Sequence, residues 1–113
     1  MKREPPKLPY PDLNRRPPRS FGWLDARLLH EEWLGRLGPE RIAALTLLAL
    51  AADRSGASFY RRETMALALS MPRDGLDEAL ERLLSLELVA HRPWAAGHID
   101  GVWQLLPLPA RRP

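Results

Sequence analysis

The sequence predicts a mainly α-helical α+β fold, in which several helices pack against one small β-hairpin. Apolar residues recur at helical spacing through most of the chain. The most regular stripe consists of Leu76, Ala79, Leu80, Leu83 and Leu84. Two short β-prone runs near the C-terminus flank residues 93–101, a stretch with two glycines and one proline. With 113 residues, the chain has the length of one domain with a single core.

Residues 1–20 differ in composition from the rest and are predicted to form an extended arm. They hold six of the twelve prolines, whose fixed φ and missing amide proton disfavour a helix or a central strand. Six cationic residues against two acidic ones give the arm a net charge of +4, so the other 93 residues carry −1. This arm either docks on a partner or on nucleic acid, or is a disordered solubilising tail.

A leading segment, residues 21–38, and a main domain, residues 39–108, follow the arm, and residues 109–113 form a tail. In the leading segment we expect a helix from Asp25, its N-cap, to Leu34, with a break at Gly35 and Gly38. In the main domain we expect the following order: a helix from Pro39 to about Asp53, an edge strand at 57–60, a helix at 62–70, a helix ending near Leu86, and strands at 88–92 and 102–106.

The order of elements from Pro39 to Leu106 resembles the winged-helix branch of the helix-turn-helix proteins. The residues that carry the resemblance are Met65, Ala68 and Leu69 in the second helix, Leu76, Ala79, Leu80 and Leu83 in the third, and the step Leu88-Val89 into the wing. A weaker similarity is to small helix-turn-helix proteins of bacterial mobile elements. The family usually has glycine where the third helix turns into the wing, whereas this chain has Glu87. Either Glu87 adopts a positive φ at some cost, or the turn is built differently.

The resemblance implies binding to double-stranded DNA, with the third helix in the major groove. The outward positions of that helix hold two arginines and four carboxylates, which opposes contact with phosphates. Glu78 could be neutralised by Arg82, one turn along the helix. The candidate DNA-binding residues are Arg15, Arg16 and Arg19 in the arm, Arg61 and Arg62 at the second helix, Arg73, Asp77 and Arg82 at the third, and Arg92 and Trp94 in the wing. Each arginine could instead be a solvated surface residue, and Trp94 a packing residue; Trp103 is expected to pack in the core or the wing.

The function expected from the resemblance is that of a transcriptional regulator or an accessory factor of a mobile element. The alternative is a winged-helix module for protein–protein interaction that uses the acidic third helix and the proline-rich arm. Because extra helices in this family often mediate dimerisation, a homodimer through Trp23, Leu28, Leu29 and Trp33 is also expected.

Catalysis, a cofactor and a metal site are not expected. The chain has no cysteine, which suits a reducing cytoplasm, and His91, His98 and Asp100 lack a metal-ligand spacing and a fourth ligand. No glycine-rich phosphate loop is present. The longest apolar run, residues 42–52, is too short to span a bilayer, and the basic N-terminus continues into prolines rather than into an apolar signal segment.

Overall fold

The computed structural model describes residues 6–109. Residues 6–20 are exposed and extended except for a short 3-10 turn at Pro11–Leu13. This conformation follows from the prolines, which cannot donate the amide hydrogen bonds of a helix or sheet. Residues 1–5 of the predicted arm and residues 110–113 of the predicted tail lie outside the described residues.

The leading segment contains two short helices, α1 (Arg27–His30) and α2 (Trp33–Leu37), so the prediction of one helix was wrong. The chain breaks at Glu32, which has a φ of 65°, and Gly35 lies inside α2 rather than at the break. The periodicity misled because residues on both sides of the break face the same core: Leu28, Trp33 and Leu37 are all buried. The Asp25 carboxylate accepts a hydrogen bond from the Arg27 amide at 2.8 Å, close to the N-cap role predicted for it.

The central helix, α3 (Pro39–Ala51), begins directly after Gly38, whose φ of 84° suits glycine. Proline at its first position has no amide proton to leave unpaired. Its buried residues are Ala44, Leu45, Leu47, Leu48 and Ala49. Because these residues lie on more than one side of the helix, α3 contacts several elements at once, as its apolar composition predicted.

Two further helices follow the short strand β1 (Ala57–Ser58): α4 (Arg62–Leu69) and α5 (Arg73–Ser85). Both helices end in the same motif. At the end of α5 the Leu88 amide donates to the Leu83 carbonyl and the Glu87 amide to that of Leu84, with Glu87 at a φ of 59°. Glu87 therefore takes the left-handed conformation that glycine usually supplies, and Ser70 does the same after α4 with a φ of 51°.

The C-terminal strands β2 (Val89–Pro93) and β3 (Gly101–Leu105) form the predicted antiparallel hairpin. His91 pairs with Trp103 and Ala90 with Gln104, which confirms that His91 and Gln104 lie on neighbouring strands. Strand β1 joins the other edge of β3, giving the sheet order β1-β3-β2. The sheet is thus a three-stranded antiparallel sheet in an α+β fold.

The core lies between α3, α5 and the sheet. The α5 residues Leu76, Ala79, Leu80 and Leu83 are 0% exposed, and they join Leu48, Met65, Leu88 and Trp103 in one cluster. Burying each large apolar side chain stabilises the fold by about 1.5 to 3 kcal/mol, so burial of this α5 stripe is a large contribution to the stability of the domain. Within residues 6–109, none of the helices has the length and apolar character required to cross a membrane.

Candidate nucleic-acid interface

Arg62, the first residue of α4, connects three elements of the domain. Its amide donates to the Asp100 carboxylate in the hairpin loop at 2.9 Å, and its Nη1 donates to Asp77 Oδ1 on α5 at 2.8 Å. Its guanidinium also lies over the ring of Trp103 on β3, 5.4 Å from the ring centre. Only 12% of the side chain is exposed. The structure therefore shows that Arg62, predicted to bind phosphate, forms part of the frame of the domain, meaning the buried contacts that hold α4, α5 and the hairpin together.

The predicted DNA-binding residues Asp77 and Arg73 contact each other on α5. Arg73 Nε donates to the same Asp77 oxygen at 3.1 Å, so two arginines share this carboxylate. Burial raises the pKa of Asp77, but the hydrogen bonds and charges of Arg62 and Arg73 outweigh it and hold the pKa below its ordinary value. Asp77 consequently stays ionised and fixes the start of α4 to α5.

Glu78, the next carboxylate on α5, is neutralised by Arg41 of α3. Arg41 donates to both carboxylate oxygens, and these hydrogen bonds are the main reason that the pKa of Glu78 lies below its ordinary value. Arg82, the partner expected from helical spacing, makes no such hydrogen bond and contributes only through its charge. The Arg41 pair bridges 37 positions of sequence, so no local pattern could have predicted it.

These ion pairs change the charge balance of the α5 surface. The sequence places two arginines against four carboxylates there, but Arg41 and Arg62 reach the same surface from other helices. The Glu40 carboxylate of α3 also reaches this surface, 3.3 Å from the place of a Cβ on Gly75, so four arginines face five carboxylates. Arg82 and Glu81 remain exposed without an ion pair among residues 6–109. The net charge of the α5 surface is therefore −1 rather than −2, so the surface is less acidic than the helix sequence alone indicates.

Two further predicted cations, Arg61 and Arg92, are exposed beside the hairpin loop. Within the described part of the chain neither side chain forms a hydrogen bond or an ion pair. Arg61 lines a shallow pocket of about 370 Å³ together with Trp94, His98 and Ile99 of the loop. Both guanidinium groups are thus free to meet a ligand.

Trp94 stacks on Phe59, a residue that the sequence analysis placed in the expected edge strand without assigning it a functional role. The ring centres are 5.9 Å apart and the planes are inclined by 10°, with 55% of Trp94 and 57% of Phe59 exposed. By contrast, Trp103 is 1% exposed and packs against His91 at 4.2 Å, which confirms its predicted packing role.

The arm residues lie elsewhere. Arg15, Arg16 and Arg19 are all exposed, and Arg19 borders a groove of about 970 Å³ between the arm, the end of α3 and residues 104–108. This groove adjoins the Leu105 end of β3, whereas Arg61 lies near the loop at the Gly101 end. The structure therefore does not bring Arg19 together with the cations beside the loop.

The four residues expected in a homodimer contact separate in the structure. Leu28 and Trp33 are buried in the core of their own chain, whereas Trp23 is 77% exposed and Leu29 is 64% exposed. Two of the four are thus already covered within one chain. Among residues 6–109 there is also no group of three side chains that could hold a metal ion.

Comparison of the chain with known protein families, with curated proteins and with solved structures found no match.

Proposed function

We propose that the chain is a winged-helix protein that binds double-stranded DNA. The observation that carries the proposal is the arrangement of α3, β1, α4, α5 and the hairpin, with β1 paired to β3 in the order β1-β3-β2. In this arrangement α5 buries one face against α3 and leaves the other exposed, as a recognition helix requires. From the sequence resemblance we propose the role of a transcriptional regulator or of an accessory factor of a mobile element. The absence of cysteine suits the cytoplasm as the place where the protein acts.

The phosphate contacts are assigned to the exposed arginines around α5 and the hairpin. Arg61 and Arg92 flank the hairpin loop, Arg82 lies on the open face of α5, and Arg73 lies at its start. Arg62 is left out of this set because its side chain is held by Asp77 and Trp103. Arg41 and Arg62 reduce the net charge of the α5 surface from −2 to −1, which weakens the repulsion that its carboxylates impose on a phosphate backbone.

Salt dependence tests this assignment. Three to four phosphate contacts predict a fall in affinity of about 40- to 150-fold between 50 and 200 mM salt. Arg61→Ala should weaken binding to every duplex sequence and make this slope shallower by about one unit. The matched control is Arg54→Ala, an exposed arginine in the turn before β1 that borders the groove at the far end of the sheet.

The two variants remove the same charge, so equal effects on affinity would show that only net charge matters and would remove Arg61 from the interface. Fluorescence anisotropy with a labelled duplex measures both the affinity and the slope. A complete lack of duplex binding in low salt would overturn the proposal.

That outcome would favour the second candidate, a protein-interaction module using α5 and the arm. The observation that supports it is that Asp74 and Glu81 are exposed on α5 without an ion-pair partner among the described residues, which suits a basic protein partner.

A further inference from the structure

The Phe59–Trp94 stack leaves aromatic surface open to solvent. Atoms of stacked rings approach to about 3.5 Å, so a centre-to-centre distance of 5.9 Å between nearly parallel planes means a sideways offset of about 4 to 5 Å. Each ring therefore covers only part of its neighbour. More than half of each side chain stays exposed, and Ile99 beside them is 54% exposed. Exposed apolar side chains that lie together often mark a place where a protein binds a ligand or a partner.

The loop that carries Trp94 is held in place by hydrogen bonds. The Trp94 amide donates to the Asp100 carbonyl at 3.1 Å, and the His98 amide donates to the Ala95 carbonyl at 3.0 Å. The Asp100 carboxylate in turn accepts the Arg62 amide. The aromatic surface is thus formed before any ligand arrives, which lowers the entropy lost on binding.

A cation stands beside this aromatic surface. Arg61 borders the same shallow pocket as Trp94, and its side chain has no partner among residues 6–109. Asp100 is a carboxylate that lines the same pocket, and one of its oxygens accepts the neutral Arg62 amide, which orients the carboxylate without cancelling its charge. The aromatic surface can stack on a planar ring, and the Arg61 guanidinium beside it can bind an anion. A nucleotide combines the two, because its planar base is joined to a phosphate.

We propose that Phe59 and Trp94 form a platform on which an unpaired nucleobase stacks, while Arg61 contacts the phosphate that joins this nucleotide to the duplex. This inference rests on the proposed DNA binding and specifies the substrate: duplex DNA that continues into a single strand. Every base in the interior of a duplex is already stacked on both faces, so the platform needs a base with a free face, which each unpaired nucleotide of an overhang supplies. The protein therefore favours a duplex with a single-stranded overhang over a blunt duplex.

Fluorescence anisotropy with the full chain tests this preference on a blunt duplex, the same duplex with a six-nucleotide overhang, and a single strand. Stacking of one base is worth about 1 to 3 kcal/mol, so the overhang should tighten binding by about 5- to 140-fold. Trp94→Leu should remove the gain from the overhang, so that its affinities for the overhang duplex and the blunt duplex become nearly equal. Trp94→Tyr keeps an aromatic face and should retain most of the gain.

The matched control is Trp23→Leu, which removes another exposed tryptophan near the far end of the sheet and should change neither affinity. Equal binding of blunt and overhang duplexes by the unaltered protein would overturn the platform while leaving duplex binding intact. The platform is equally overturned if Trp94→Leu keeps the overhang preference. If the protein bound only the single strand, and Trp94→Leu lost this binding, the platform would be supported and the proposed binding of double-stranded DNA would be overturned. If none of the three DNA substrates bound, the platform and the proposed duplex binding would both be overturned. An apolar peptide would then be the expected ligand of the aromatic surface.

Discussion

Arg61 and Arg62 are adjacent in sequence but differ in what they contact, and replacing each with alanine separates stability from binding. Arg62→Ala loses a hydrogen-bonded ion pair with Asp77, worth about 1 kcal/mol when one partner is partly exposed. It also loses the cation–π contact with Trp103, about 0.5 to 1 kcal/mol, and about 1 kcal/mol from the buried aliphatic stem. The expected loss is about 2 to 3 kcal/mol of unfolding free energy.

Arg61→Ala removes the same charge from an exposed side chain that makes no ion pair among the described residues. Its unfolding free energy should therefore change by less than about 0.5 kcal/mol. Urea unfolding followed by tryptophan fluorescence distinguishes the two variants, because a loss of 2 to 3 kcal/mol lowers the midpoint by about 1 M or more. Equal midpoints for the two variants would show that Arg62 does not hold the domain together.

The pH dependence of the Arg62→Ala deficit provides an independent check. The pKa of Asp77 is lowered in the folded protein, so its ionised form stabilises the fold above the unfolded pKa of about 3.9. That contribution is lost as the pH falls through the folded pKa. The difference in stability between the unaltered protein and Arg62→Ala should thus be largest near neutral pH and shrink in acid. A difference that is constant down to pH 2 would mean that Asp77 is not the relevant partner.

Two further predictions concern the end of α5 and the hairpin. Glu87→Gly should raise the unfolding free energy by about 0.5 to 1 kcal/mol because glycine accepts the positive φ at this position. The control Glu81→Gly, inside α5, should lower the unfolding free energy by about 1 kcal/mol. Urea midpoints of the two variants that move in the same direction would contradict the role assigned to Glu87. Burial, and then the charge of Arg62, lower the pKa of His91, so stability should decline as the pH falls below about 6.5 towards the folded pKa. Thermal unfolding of His91→Phe should lack this decline, and an unchanged pH profile would exclude His91 as its source.

Much of the fold was predictable because it depends on local patterns. The stripe from Leu76 to Leu83 has the spacing of one helix face, and it is buried as that spacing requires. The antiparallel hairpin was predicted from two short runs around one loop, and the structure adds the register that pairs His91 with Trp103. The prediction of a single leading helix was wrong because the spacing of apolar residues shows only which side chains face the core. A break at Glu32 leaves the side chains on both sides of it facing the same core.

The candidate site was less predictable because its charges interact across the fold. Arg41 neutralises Glu78 over 37 positions and Arg62 reaches Asp77 over 15, so counting charges along α5 gave the wrong balance for its surface. The Phe59–Trp94 stack likewise joins the end of β1 to the hairpin loop. The sequence indicated which residue types were present in these regions, but only the packing of α3, α4 and the hairpin determines which of them meet.

In the candidate interface, residues that are adjacent in sequence have different roles: one holds the elements of the domain together and its neighbour is exposed and free to bind. Arg62 is held by Asp77 while Arg61 is exposed, and His91 packs on Trp103 while Arg92 is exposed. Because the backbone is extended before α4 and along β2, successive side chains point in opposite directions, and each buried residue fixes the position of an exposed neighbour. The hairpin loop, the start of α4 and α5 are therefore positioned together through Arg62. A substitution in the frame should weaken stability and DNA binding in parallel, whereas one among the exposed arginines should weaken binding alone.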